Sequence, residues 1–146
     1  MPEDATTLFK WRNFPEIINL GSSRRKVSRE EHIQWFSQII KDANSRLYII
    51  VINEMPVGQL RLVAGIGNDA EISVFLIPGH TGVGHGVTAI VQGCEQFFDE
   101  FPIRAIVAFV RETNHRSLSA FEKAGFVHDL DGEQRADHHR LELRRA

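Results

Sequence analysis

Ile77-Pro78-Gly79-His80-Thr81-Gly82-Val83-Gly84-His85-Gly86 stands between a short β-like stretch and a long amphipathic one. Glycines at 82, 84 and 86 permit positive φ and let the backbone approach a ligand closely. Upstream, 70–77 reads as a strand. Downstream, Val87, Ile90, Val91, Cys94, Phe97 and Phe101 recur every three to four residues, which predicts a helix over 84–101 closed by Pro102. The first N–H groups of such a helix have no partner within it, and they point into the loop with the helix dipole behind them. That order seats an anion, above all a pyrophosphate. A triphosphatase-type phosphate loop does not fit, because no Lys-Ser/Thr follows the last glycine. A dinucleotide fingerprint fits poorly too, since the third glycine comes one residue early. The plain alternative is a flexible turn.

Working outward, Ser28 and Glu31 have capping-box spacing, so a helix should start near residue 29. Ile33, Phe36 and Ile40 mark its apolar face, widened by Trp35 and Ile39. A helical stretch containing Leu8, Phe9 and Trp11 precedes it, broken near Pro15, with a loop over 21–26. The β-branched run 47–52 predicts a strand covered on both faces. Asn53-Glu54-Met55-Pro56 predicts a hairpin turn with 57–64 returning. Beyond the long helix, 105–110 reads as a buried strand. Asn114 caps a short helix with Leu118 and Phe121, ending at a left-handed Gly125. Strands over 126–130 and 139–143 close the chain. The order helix, helix, three strands, helix, strand, helix, two strands predicts an α/β domain with a mixed sheet.

Composition narrows the classes. The 146 residues predict a single domain over 1–146, and 17 Lys+Arg against 19 Asp+Glu give a net charge of −2, with no global field for nucleic acid. The one cysteine, Cys94, excludes an intrachain disulfide and a cysteine-based zinc site, and its helical position marks it as core. His138-His139 point to opposite faces of a strand, so no metal site is expected. No secretory start and no run near the ~20 apolar residues of a membrane span is present, which predicts a cytoplasmic protein.

Two blocks resemble the GNAT superfamily of acyl-CoA-dependent N-acyltransferases. One is Thr81-Gly82-Val83-Gly84-His85-Gly86, set where that family holds the pyrophosphate of CoA. The other is Asn114-His115-Arg116-Ser117-Leu118-Ser119-Ala120-Phe121-Glu122-Lys123-Ala124-Gly125-Phe126. The resemblance implies a GNAT-like mixed, mostly antiparallel sheet flanked by helices, with the usual first strand missing and its edge open to a partner such as a second copy. It implies acetyl-CoA as co-substrate, held by Val74, Phe75 and Leu76, by Thr81, Gly82, Val83, Gly84, His85 and Gly86, and by Asn114 and Phe121. Glu71 becomes the candidate base, and backbone N–H groups over 72–76 the oxyanion donors. Two departures stand out. Thr81 replaces an arginine or glutamine, and Phe121 stands where a tyrosine often protonates the thiolate. Tyr48, the sole tyrosine, lies on an early strand.

Trp11-Arg12-Asn13 and His32-Ile33-Gln34-Trp35-Phe36 are similar to segments of sugar-amine and ribosomal-protein acetyltransferases, including those acting on flagellin nonulosonate sugars. That similarity implies a small-molecule amine acceptor, an amino sugar on a nucleotide, met by Arg12, Asn13 and His32. The alternatives are an acetyltransferase of protein N-termini and a non-catalytic acyl-CoA-binding module.

Overall fold

The computed structural model describes residues 7, 9–11, 28–65, 68–77 and 84–145. Its elements are α1 (Arg29–Lys41), β1 (Ser45–Ile52), β2 (Met55–Ala64), β3 (Asp69–Leu76), α2 (His85–Glu100), β4 (Ala105–Arg111), α3 (His115–Lys123), β5 (Val127–His128) and β6 (His138–Arg144). The six strands lie in the order β1-β2-β3-β4-β6-β5. Every neighbouring pair is antiparallel except β3 and β4, which α2 joins in parallel.

The sheet separates two apolar clusters. On one face Leu60, Leu62, Ile72, Ile106 and Leu141 pack against Ile90, Cys94 and Phe97 of α2 and Phe121 of α3. On the other, Trp11 and Phe36 gather Trp35, Leu47, Ile49 and Phe75. Burial alternates along β3 accordingly, with Ala70 and Ile72 facing α2 and Glu71, Ser73 and Phe75 facing α1.

Several local signals act as the sequence implies. Glu31 N–H donates to Ser28 Oγ at 3.1 Å, starting α1. Helix α2 begins after Gly84 and ends at Glu100 with Phe101 as C-cap. The end of α3 is a full Schellman motif: Gly125 (φ 102°) donates to Glu122 O, and Phe126 N–H reaches back to Phe121 O at 3.0 Å. Phe121 and Phe126 supply the accompanying apolar contact, edge to face at 5.0 Å.

The run 47–52 is covered on both faces as its apolar pattern implies, Tyr48 and Ile50 by one cluster and Leu47 and Ile49 by the other, and among the described strands β1 lies at the end of the sheet order. Two expectations change. The buried stripe of α1 is turned by one residue, because His32 (1% exposed) and Phe36 face inward while Ile33 is 48% exposed. The His32 ring packs among Phe9, Trp35 and Phe36, with centroids 5.4–6.3 Å away, and that aromatic nest sets the rotation. The last hairpin is also shorter than 126–130 implies, since β5 is only Val127–His128.

Asn53 (φ 51°) and Glu54 (φ 66°) both take left-handed backbone, so the β1–β2 turn spans these two residues and Met55 already pairs with Ile52. A bulge at Ile50/Val51 follows in the register. Beside it Gly58 lets β2 press against the end of β3, where a Cβ would collide with the Phe75 carbonyl and stand 2.8 Å from Leu76 Cδ2.

Candidate functional site

The parallel ladder between β3 and β4 stops at Ile72↔Ala108, although both strands continue. Beyond that point β3 keeps only its β2 partner. Ile77 N–H donates to Val57 O and Gly65 N–H to Asp69 O, which sets the alternation: odd-numbered residues of β3 exchange bonds with β2. The N–H and C=O groups of Val74 and Leu76 therefore point toward β4, into the gap. They form a ready edge for an extended ligand and include N–H donors for developing negative charge.

A cleft of about 550 Å³ occupies this gap and runs to the starts of α2 and α3. At α2, Gly84 (φ 85°) is an N-cap without a side-chain cap bond, and the first helical bond is Thr88 N–H to Gly84 O at 3.2 Å. The N–H groups of His85, Gly86 and Val87 thus have no helical acceptor, and the positive end of the dipole lies behind them. At α3, Asn114 accepts from Ser117 N–H at 3.3 Å, so its side chain caps the helix while bordering the cleft. Arg111, Arg116 and Lys123 also line it, adding positive charge where phosphates would pass.

The α1 side of the same strands carries a different chemistry. Glu71 and Ser73 project there with Phe75. Arg135 Nη2, from the loop before β6, lies 2.6 Å from Glu71 Oε1, an ion pair by distance whose angles fall outside those of a hydrogen bond. The same guanidinium lies over the Phe109 ring at 3.8 Å. Glu71 is therefore held at the fork where β3 leaves β4, with its side chain 37% exposed.

Of the residues expected to hold the cofactor, Val74, Phe75, Leu76, Gly84, Gly86, Asn114 and Phe121 line one cleft. The His85 side chain lines a separate groove between β1 and α2, with Tyr48 and Thr88. Thr81, Gly82, Val83, Arg12 and Asn13 lie outside the described residues. Glu71 stands beside the cleft on the α1 face, and His32 is packed in the aromatic nest. Tyr48 is half-buried away from the cleft, and burial raises its phenol pKa, followed by the charge of Glu100. Burial likewise pushes the Cys94 thiol up to about 12, so it stays protonated in the core. Among the described residues no group of three His, Cys, Asp or Glu side chains stands ready for a metal ion.

The sequence reasoning missed Arg61, Arg135 and the basic set Arg111, Arg116 and Lys123. Arg116 and Lys123 lie seven residues apart in the Asn114 block, a helical spacing that puts both on one face of α3, and Arg111 ends β4 just before it. Nothing in the local sequence marks Arg135, which reaches Glu71 from a loop 64 residues away (135 − 71).

A family model described as an acetyltransferase (GNAT) domain matches residues 1–127. An acetyltransferase of Campylobacter jejuni, PseH, is 23% identical over 130 residues, covering 88% of this chain and 81% of that protein. Among solved structures, an aminoglycoside acetyltransferase in complex with coenzyme A and kanamycin superposes with a TM-score of 0.82 at 18% identity, covering 98% of this chain and 90% of that one. The spermidine N-acetyltransferase of Vibrio cholerae, solved with CoA and spermine, gives a TM-score of 0.82 at 18% identity, covering 99% and 91%. At these identities the structural likeness speaks for the fold.

Proposed function

The chain belongs to the GNAT acetyltransferase family, and from that premise we propose that it moves an acetyl group from acetyl-CoA to the primary amine of a small acceptor, an amino sugar carried on a nucleotide. The observation that carries this reading is the parting of β3 from β4 after Ile72, which opens the cleft between the two helix starts. Acetyl-CoA is a substrate there. Its pyrophosphate meets the N–H groups at the start of α2, its pantetheine arm runs along Val74 and Leu76, and Asn114 borders the arm from α3.

The neutral amine attacks the thioester carbonyl carbon, forming the C–N bond while the carbonyl oxygen takes up negative charge. The N–H groups of Val74 and Leu76 are the donors aimed into that space. Glu71 takes a proton from the incoming ammonium, directly or through a water, before attack. Collapse of the tetrahedral centre breaks the C–S bond. The thiolate then takes the second amine proton or one from water, since Phe121 carries no hydroxyl and is committed to the Schellman contact with Phe126.

The acceptor side of the reading rests on the Trp11-Arg12-Asn13 and His32–Trp35–Phe36 segments, on the PseH relatives, and on the neighbours solved with kanamycin and spermine, which are small amines. CoA release measured over nucleotide amino sugars, free amino sugars, polyamines and N-terminal peptides tests it. Turnover is expected with amino sugars. Turnover of peptides alone would overturn the acceptor, and CoA binding without turnover of any amine would make the chain a binding module.

A further inference from the structure

Arg61 lies mid-strand on β2, facing α1, directly across from Ser73 and diagonally across from Glu71. A central strand position between apolar neighbours is a costly place for a guanidinium unless a counter-ion meets it. Its described contacts are one long hydrogen bond, Nη2 to Ser73 Oγ at 3.5 Å, and the Trp35 ring 5.8 Å away. The carboxylate within its reach, Glu71, is paired by Arg135 instead. Burial lowers the Arg61 pKa from its ordinary value, and the nearby Glu71 charge opposes that shift. A second observation lies two residues along the same face. Gln59 is 6% exposed, and its Oε1 has no hydrogen-bond partner.

A partly buried cation whose nearest carboxylate is paired with another arginine, and a buried acceptor without a donor beside it, both weaken the free protein. A ligand that brings an anion and a hydroxyl would complete both. Resting on the acetyltransferase reading above, we propose that Arg61 is the anion-binding residue of the acceptor site: it takes a phosphate or carboxylate of the acceptor while Gln59 Oε1 accepts from a neighbouring hydroxyl and the acceptor's amine lies toward Glu71. Diagonal cross-strand neighbours stand about 7–8 Å apart. Amine and anion thus belong to one molecule, an amine that carries its own negative charge as an amino sugar on a nucleotide does, rather than to a polyamine or an aminoglycoside, which are purely cationic.

The test is calorimetric binding in the presence of CoA, with glucosamine, glucosamine 6-phosphate and 2-amino-2-deoxyglucuronate as probes, on the wild type, Arg61→Met and Arg61→Lys. The wild type should bind at least one anionic probe ten times or more tighter than glucosamine, and the phosphate and carboxylate arms tell which anion is preferred. Arg61→Met should bring that preference to within twofold while leaving CoA affinity and the weak glucosamine binding unchanged. Its Tm should be equal or higher, because methionine removes a buried charge without leaving a void. Arg61→Lys keeps the charge but loses the planar fork, and should fall between. No preference in the wild type overturns the proposal, as does a preference that survives Arg61→Met. A lowered Tm with equal loss of all ligands overturns it too, since that marks a structural arginine. If Arg61→Met fails to fold, Arg61→Lys decides, an unchanged preference counting against. Because the readout is binding, failure of acetyl transfer to every amine would refute the enzymatic reading and leave the anion result standing by itself.

Discussion

Replacing Gly84 by valine isolates what the junction of loop and helix contributes to binding. Gly84 is the N-cap of α2 at φ 85° and ψ −4°. Left-handed backbone costs an L-residue about 1–2 kcal/mol, and a β-branched one sits at the upper end. A Cβ built at Gly84 meets nothing within 4 Å, so the fold raises no steric objection and the stability loss should stay near that range. The effect on ligand should be larger. A valine relaxes toward negative φ, which turns the N–H groups of His85, Gly86 and Val87 away from the loop, and its methyl groups enter space open to a phosphate. One lost hydrogen bond to a charged oxygen is worth about 1.5–3 kcal/mol. At 1.4 kcal/mol per decade, affinity for acetyl-CoA should fall about 10- to 100-fold. Gly84→Asn is the control, because asparagine tolerates this backbone and reports the effect of a side chain alone. Calorimetric titration with CoA, alongside urea unfolding, reads both quantities. A folded Gly84→Val protein with unchanged CoA affinity would show that the start of α2 does not hold the cofactor.

Glu71→Gln keeps the shape of the side chain and removes its basicity, so turnover should drop by about 10²–10⁴ with acetyl-CoA affinity unchanged; full activity across the pH range would return Glu71 to a purely structural pairing with Arg135. Gly58→Ala should lower stability by about 1–3 kcal/mol, as overpacking does, because its Cβ collides with the Phe75 carbonyl, and an unchanged urea midpoint would contradict the tight β2–β3 contact. Cys94 supplies an alkaline prediction. Its folded pKa of about 12 lies above the ordinary thiol value of 9.0, so between these values the native state keeps a proton that the unfolded chain has lost. Stability therefore falls as pH rises through this window, approaching 1.36 kcal/mol per unit and amounting to about 2 kcal/mol between pH 7 and 10.5. Cys94→Ala should lose less between pH 7 and 10.5 by urea unfolding, and parallel losses in the two proteins would place the alkaline sensitivity elsewhere.

Local sequence alone determined the punctuation of this chain. The Ser28 cap, the Asn114 cap, the Gly125 terminator and the 3.6-residue stripe of α2 involve residues within a few positions of each other, so their chemistry is complete before any long-range contact forms. The glycines before α2 and the Asn114 block were legible for the same reason, and with them the two helix starts that border the cleft. What only the tertiary structure decided depends on which strands become neighbours. The apolar run of β1 is equally compatible with a central or an edge strand, and the sheet order places it at the edge. His32 is buried rather than Ile33 because Phe9, Trp35 and Phe36 converge on it from two segments. The cleft exists because β3 and β4 pair for four positions and then part, a fact of strand divergence that no residue type encodes. The charged floor beside it arises the same way. Arg61, Glu71 and Arg135 come from two strands and a loop, and cross-strand register is what brings them to one face. Caps and periods are local energies that a sequence displays. Sites made of side chains distant in the chain are products of register, which is set only when the whole sheet closes its hydrogen bonds.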